Sequence, residues 1–187
     1  MVMLIFLCIR QYLLKIAPCQ LHYKTKLCSI ILYNKRKEVS GGFRLREYMI
    51  YLIEEEVAKH YSGNELKLFQ LFQQYEQEEP LRSIIKRQVD YVTLPVPTFP
   101  LQQSLEQALK NKEGYKRVAY QHKIEKEDST AKLSIFEKYL KLSSKGSFEA
   151  EAIFFEIIRK QAPYFLAIDA SSNRYGWLQP IKQRKFV

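Results

Sequence analysis

From residue 45 onward the apolar positions switch between two periods, and the switches mark out the elements. Residues 47–53 (EYMIYLI) are rich in aromatic and β-favouring side chains and predict a first strand. Residues 54–61 (EEEVAKHY) open on three acids, which suit the positive end of a helix dipole, and Gly63 supplies the residue that stops the helix. Over residues 65–75, Leu68, Leu71, Phe72 and Tyr75 fall at i, i+3, i+4 and i+7, a single helical stripe. Gln70, Gln73 and Gln74 lie off that stripe. Pro80 is placed to open a third helix through Val92, with Ile84, Ile85, Val89 and Val92 as its buried side. Three prolines within 94–100 (LPVPTFP) predict an extended strap, because proline removes a backbone donor and restricts its predecessor. A short amphipathic helix follows over 101–112.

The second half mixes the two periods. Residues 114–123 and 132–142 predict two strands joined by a charged turn at 125–129. Ser147 is placed as an N-cap, with Glu149 and Glu151 in the first turn of a helix running to Gln161. Its apolar face is Ile153, Phe154, Ile157 and Ile158, and Pro163 ends it. Residues 164–169 and 174–178 predict a last strand pair around the turn 170–173. The sum is a single α+β domain: a small, mostly antiparallel sheet of about five strands packed with helices.

Charge separates the chain into two parts. Residues 1–44 hold 8 Lys and Arg against one acid, whereas residues 45–187 hold 22 against 19. The overall +10 therefore says little about the body, whose interleaved charges suit a solvated surface. All three cysteines, Cys8, Cys19 and Cys28, lie in the first part without CxxC spacing. That excludes a zinc-site pattern, and a cysteine-free body suits a reducing cytoplasm. The apolar run 1–9 is cut by Arg10 and Lys15, short of the roughly 18 residues a membrane span needs. Its basic residues follow the run instead of preceding it, unlike a signal peptide. An amphipathic membrane anchor and a DNA-binding tail remain alternatives for this basic segment. The Gly41-Gly42 pair is encodable as a purine-rich ribosome-binding sequence, with Leu45 as a TTG start. Residues 1–44 are thus expected to be an upstream extension outside the natural protein, or a disordered basic tail, with 45–187 as the working domain. A Leu45 codon other than TTG or CTG would exclude the first of these.

No phosphate-binding glycine loop, HExxH, GxSxG or paired CxxC occurs. His22, His60 and His122 lie far apart, and His60 beside Tyr61 reads as a surface residue. Asp169 is the best single catalytic candidate, but a turn-forming Asp before Ala170-Ser171-Ser172 accounts for it better. Nucleophile, base and orienting group never come together, so no enzyme is expected, and no cofactor or metal is implied. Binding has more material. Val57 and Tyr61 are four apart on the first helix, and Gln88 and Tyr91 are three apart on the third, off its core stripe. They either converge as an apolar patch with a polar edge, or Val57 and Tyr61 simply face the sheet.

Longer stretches carry a resemblance. YLIEEE at 51–56, HYSGNE at 60–65, LFQLFQQY at 68–75 and YVTLPVP at 91–97 resemble the first half of the sporulation inhibitor of replication family, SirA. FEAEAIFFEII at 148–158, FLAID at 165–169 and NRYGWLQPIKQRKFV at 173–187 resemble its second half, so the likeness spans 46–187. The resemblance implies a cytoplasmic, non-enzymatic inhibitor of replication initiation in spore-forming bacteria. Its partner would be the amino-terminal domain (domain I) of the initiator DnaA, bound by a monomer as a heterodimer. No cofactor, membrane or direct nucleic-acid partner is implied. The family's DnaA-facing positions match Val57, Tyr61, Gln88 and Tyr91, with Pro180 as a further position whose alternative is merely to end the last strand. The family pattern carries Phe where this chain has Val57, and losing a buried ring weakens a contact by ~1–3 kcal/mol unless the partner compensates.

Overall fold

The computed structural model describes residues 45–76 and 82–181. Its strands are β1 (Arg46–Ile53), β2 (Thr93–Leu94), β3 (Tyr115–Val118), β4 (Gln121–Glu125), β5 (Ser129–Ile135), β6 (Leu140–Gly146), β7 (Phe165–Asp169) and β8 (Arg174–Trp177). Its helices are α1 (Glu55–Tyr61), α2 (Glu65–Glu76), α3 (Arg82–Val92), α4 (Thr98–Leu109) and α5 (Glu149–Ile158). The strands form one antiparallel sheet in the order β3-β4-β5-β6-β1-β7-β8. β6 pairs with β1 only as far as Ile50, and β2 continues that edge against Leu52 and Ile53. The α+β class stands as expected, with eight strands in place of about five among the described residues.

Each of the three additional strands has a physical reason. The stretch read as one strand over 114–123 turns at Ala119-Tyr120, and Val118 pairs with Gln121 across that two-residue loop. Ala119 sits at φ 50, a conformation usually given to glycine, so no turn residue announced the hairpin. The stretch 132–142 turns at 136–139, where Phe136 stacks on Tyr139 with ring centroids 4.6 Å apart. Aromatic residues there look like strand. β2 is two residues long and exists only because α3 returns the chain to β1.

β1 shows how alternation builds two cores. Tyr48, Ile50 and Leu52 point to one face, where Leu101, Leu105 and Leu109 of α4 and Phe154, Phe155 and Ile158 of α5 cover them. Met49, Tyr51 and Ile53 point to the other, against Ala58 of α1, Phe69 and Phe72 of α2, and Ile85, Val89 and Val92 of α3. Helices therefore pack on both sides of the central strand. On β4, β5 and β6 only the first face is buried, and their outer positions, Lys123, Lys132 and Lys141 among them, are polar. Among the described residues no helix is long and apolar enough to cross a membrane.

Several boundaries differ from the sequence reading. The strap ends early: Thr98, Phe99 and Pro100 form the first turn of α4, and Leu101 N makes its first backbone bond to Pro97 O at 3.0 Å. Proline is tolerated there because a first-turn N–H has no helical acceptor. Ser147 is not the cap of α5. Phe148 occupies that position without a side-chain bond, and the helix stops at Ile158, not Gln161. Ile84 is not core; it is 48% exposed while Ile85 is buried. Pro80 and residues 1–44 lie outside the described residues.

Candidate protein-binding face

α1 starts where β1 ends, and Glu54 makes the transition. Its Oε2 accepts from Val57 N at 3.0 Å, so the first of the three acids is the cap and the next two line the first turn. Ser62 closes the helix and Gly63 follows at φ 86. Gly63 N–H donates to Glu65 Oε1 at 2.7 Å, and the same oxygen accepts from Trp177 Nε1 at 2.9 Å. The start of α2 is thereby tied to β8.

α3 is anchored at its other end. Thr93 Oγ1 donates to Val89 O at 2.7 Å, and Glu54 N donates to Val92 O at 2.9 Å. The second bond joins the C-terminal end of α3 to the N-cap of α1, and both candidate helices pack on the same face of the sheet. Val57 and Tyr61 are half-buried there, dividing their surface between solvent and the aromatic core. Gln88 and Tyr91 lie on the outer side of α3, with Tyr91 81% exposed. Pro180 is exposed beyond β8, past the buried Leu178. His60 is exposed and meets Tyr61 edge-on with centroids 5.0 Å apart.

Asp169 is fully buried and its oxygens are taken. Oδ1 accepts from Ser171 Oγ at 2.7 Å and Ser172 N at 3.0 Å, and Oδ2 from Arg174 at 2.5 Å. Burial opposes its charge, but these donors outweigh it and hold the carboxyl below its ordinary pKa. It is the turn residue between β7 and β8.

The sequence reading missed a second buried polar group. Glu151, assigned to the helix dipole, is 0% exposed. It accepts from Arg46 Nε at 2.9 Å, Tyr48 Oη at 3.2 Å and Ser144 Oγ. Arg46 also donates to Gly146 O at 2.9 Å and Ser147 O at 3.1 Å, and lies 4.3 Å from the Phe148 ring centroid. Burial, then the Glu151 charge, push the Tyr48 hydroxyl pKa up. Glu151 precedes Phe154 and Phe155 by three and four residues, so its place on the buried stripe was legible. Among the described residues no group of three or more His, Cys, Asp or Glu gathers to hold a metal.

The family model described as sporulation inhibitor of replication protein SirA matches residues 46–182. The chain belongs to the SirA family. A relative from Bacillus subtilis (strain 168), named sporulation inhibitor of replication protein SirA, is 41% identical over 147 residues. That match covers 76% of this chain and 99% of the relative. The SirA match takes in every described element from β1 to β8, including both candidate helices and the buried Arg46–Glu151 pair. Val57 is half-buried against the edge of the aromatic core.

Proposed function

We propose that this protein inhibits the initiation of DNA replication during sporulation by binding domain I of DnaA. The observation that carries the reading is the SirA match over nearly the whole length of a relative named as a sporulation inhibitor of replication. The proposed contact is the adjoining α1–α3 surface with Val57, Tyr61, Gln88 and Tyr91, and Pro180 at its margin. An exposed aromatic beside an amide suits a contact of this kind, since tyrosine and its neighbours often dominate interface energy. Inhibition then needs no chemistry: occupying the domain's own docking surface is enough. The acting unit is the monomeric body from residue 45 on, working in the cytoplasm.

Calorimetry with purified DnaA domain I tests this. Wild type is expected to bind one to one, and Tyr91→Ala or Gln88→Ala to weaken binding at least about tenfold. Normal binding by both variants would remove the assigned surface. The charge of residues 1–44 favours a second reading, direct DNA binding by that segment. A protein beginning at residue 45 that still blocks replication would eliminate it.

A further inference from the structure

We infer that α3 meets its partner through a two-turn stripe of Ile84, Arg87, Gln88 and Tyr91. Ile84 enters an apolar recess, and Arg87 faces an acidic group on the partner. The inference rests on the proposed function, which supplies Gln88 and Tyr91, and adds two residues that specify the chemistry opposite them.

The stripe follows from helix geometry. Positions 84, 87, 88 and 91 are i, i+3, i+4 and i+7, so they share one face. The opposite side of α3 is already used: Ile85, Val89 and Val92 are 7%, 5% and 9% exposed in the core. Ile84, next to Ile85 in sequence, is instead 48% exposed. A single exposed isoleucine means little. Here it is aligned with Tyr91, so two large apolar side chains stand one above the other on an uncovered helix face. Gln88 lies between them as a polar contact. An apolar centre with polar members at its edge is the anatomy of a protein interface.

Charge names the occupant. α3 carries Arg82, Lys86, Arg87 and Asp90, and Asp90 pairs with Lys138 at 3.5 Å. Arg87 has no ion pair among the described residues; its Nε only reaches Ser83 O at 3.5 Å, a marginal distance. Lys86 points well away from the stripe, one residue and about 100° round the helix. One arginine inside an apolar line favours a carboxylate, which its planar fork grips in two places. A polyanion would want a series of phosphate contacts instead. The partner surface is therefore a protein hollow, apolar in the middle, with an acid beside it.

The test is calorimetry against DnaA domain I at about 50 and 200 mM salt, with wild type, Tyr91→Ala, Ile84→Ser, Arg87→Gln and Lys86→Gln. Ile84→Ser and Arg87→Gln are each expected to weaken binding about tenfold. Arg87→Gln also loses most of the salt dependence, while Lys86→Gln stays within about twofold of wild type. All these side chains are exposed, so thermal midpoints matching wild type separate lost contact from lost fold. If Tyr91→Ala weakens binding but Ile84→Ser and Arg87→Gln bind as wild type does, the inference is overturned and the proposed function stands. If wild type fails to bind the domain, both fall.

Discussion

The two faces of β1 are built from the same strand, yet they are finished differently. On the α4–α5 side the centre is sealed: Leu101, Leu105, Leu109 and Phe154 are all 0% exposed, even a charged pair lies inside, and only marginal groups such as Tyr115 and Ile153 are partly buried. On the α1–α3 side the core is aromatic and its margin is open. Tyr51 stacks on Phe72 at 4.1 Å and Phe69 on Tyr175 at 4.8 Å between ring centroids, and Val57, Tyr61, Leu71 and Tyr75 around them are only half-buried. Tyrosine makes that open margin tolerable, since its ring packs while its hydroxyl stays wet. One face holds the fold together. The other leaves two helix surfaces open, and these are the surfaces we propose for partner binding.

The largest effect should come from breaking the sealed face at its charge. Removing one member of a buried ion pair leaves the other uncompensated, at a cost of about 3–5 kcal/mol. Glu151→Ala strands Arg46, whose remaining acceptors are the carbonyls of Gly146 and Ser147. Urea unfolding should show a loss of that size. The double variant Arg46→Met with Glu151→Met should recover most of it, because an apolar pair of similar volume needs no compensation. A loss under about 1 kcal/mol in Glu151→Ala would show that the two faces are not finished as differently as the geometry indicates.

Adjacent isoleucines sharpen the contrast within the open face. Ile85→Ala removes buried methyl groups and should cost ~2–4 kcal/mol. Ile84→Ala should stay within ~0.5 kcal/mol, as exposed substitutions do. Chemical denaturation of the two single variants measures both. Equal losses would mean that Ile84 is packed in solution and that the outer side of α3 is less open than described.

These same residues show what the sequence could and could not carry. The stripes of α2 and α3 and the alternation of β1 are periodic, so their existence and core sides were legible. Ile84 and Ile85 are one residue apart and both fit a broad stripe; only the position of α3 over the sheet decides which goes in. Gln88 and Tyr91 were recognisable as off-core from the period alone. The seven-residue α1 has too few turns to show whether Val57 and Tyr61 face in or out, and the structure divides them between both. Turns were legible where residue type announces them, as with Asp169 to Asn173, where Asn173 is left-handed at φ 51. They were not where Ala119 takes a glycine conformation or where Phe136 and Tyr139 close a loop by stacking. The Arg46–Glu151 pair spans 105 residues, a separation over which local pattern carries no information.

A last difference between the faces concerns pH. His122 lies on β4 on the sealed side, 0% exposed, with Nδ1 2.8 Å from Tyr115 Oη and Nε2 without a hydrogen-bond partner among the described residues. Burial first, and then the charge of Arg117, lower its pKa from 6.5 to about 4. In the unfolded chain the imidazole takes its proton near its ordinary value. Between those two values the unfolded state therefore binds more protons than the folded one, so stability must fall as pH falls through that window. Above it the neutral ring's contribution is complete; below about 4 both states are charged and the slope from this residue ends. The loss is on the order of 3 kcal/mol over the whole window, of which roughly 2 falls between pH 7 and pH 5. Carboxylates titrate over part of the same range, so the measurement is a difference: urea unfolding of wild type and His122→Phe at pH 7 and pH 5. Phe keeps a flat ring, slightly larger than imidazole, and removes the titration, and Tyr115 at the sheet's margin can turn its hydroxyl to water. The variant should lose less stability than wild type over that interval. Parallel losses in the two proteins would show that His122 is protonated in place, and that this face is wetter than its buried area suggests.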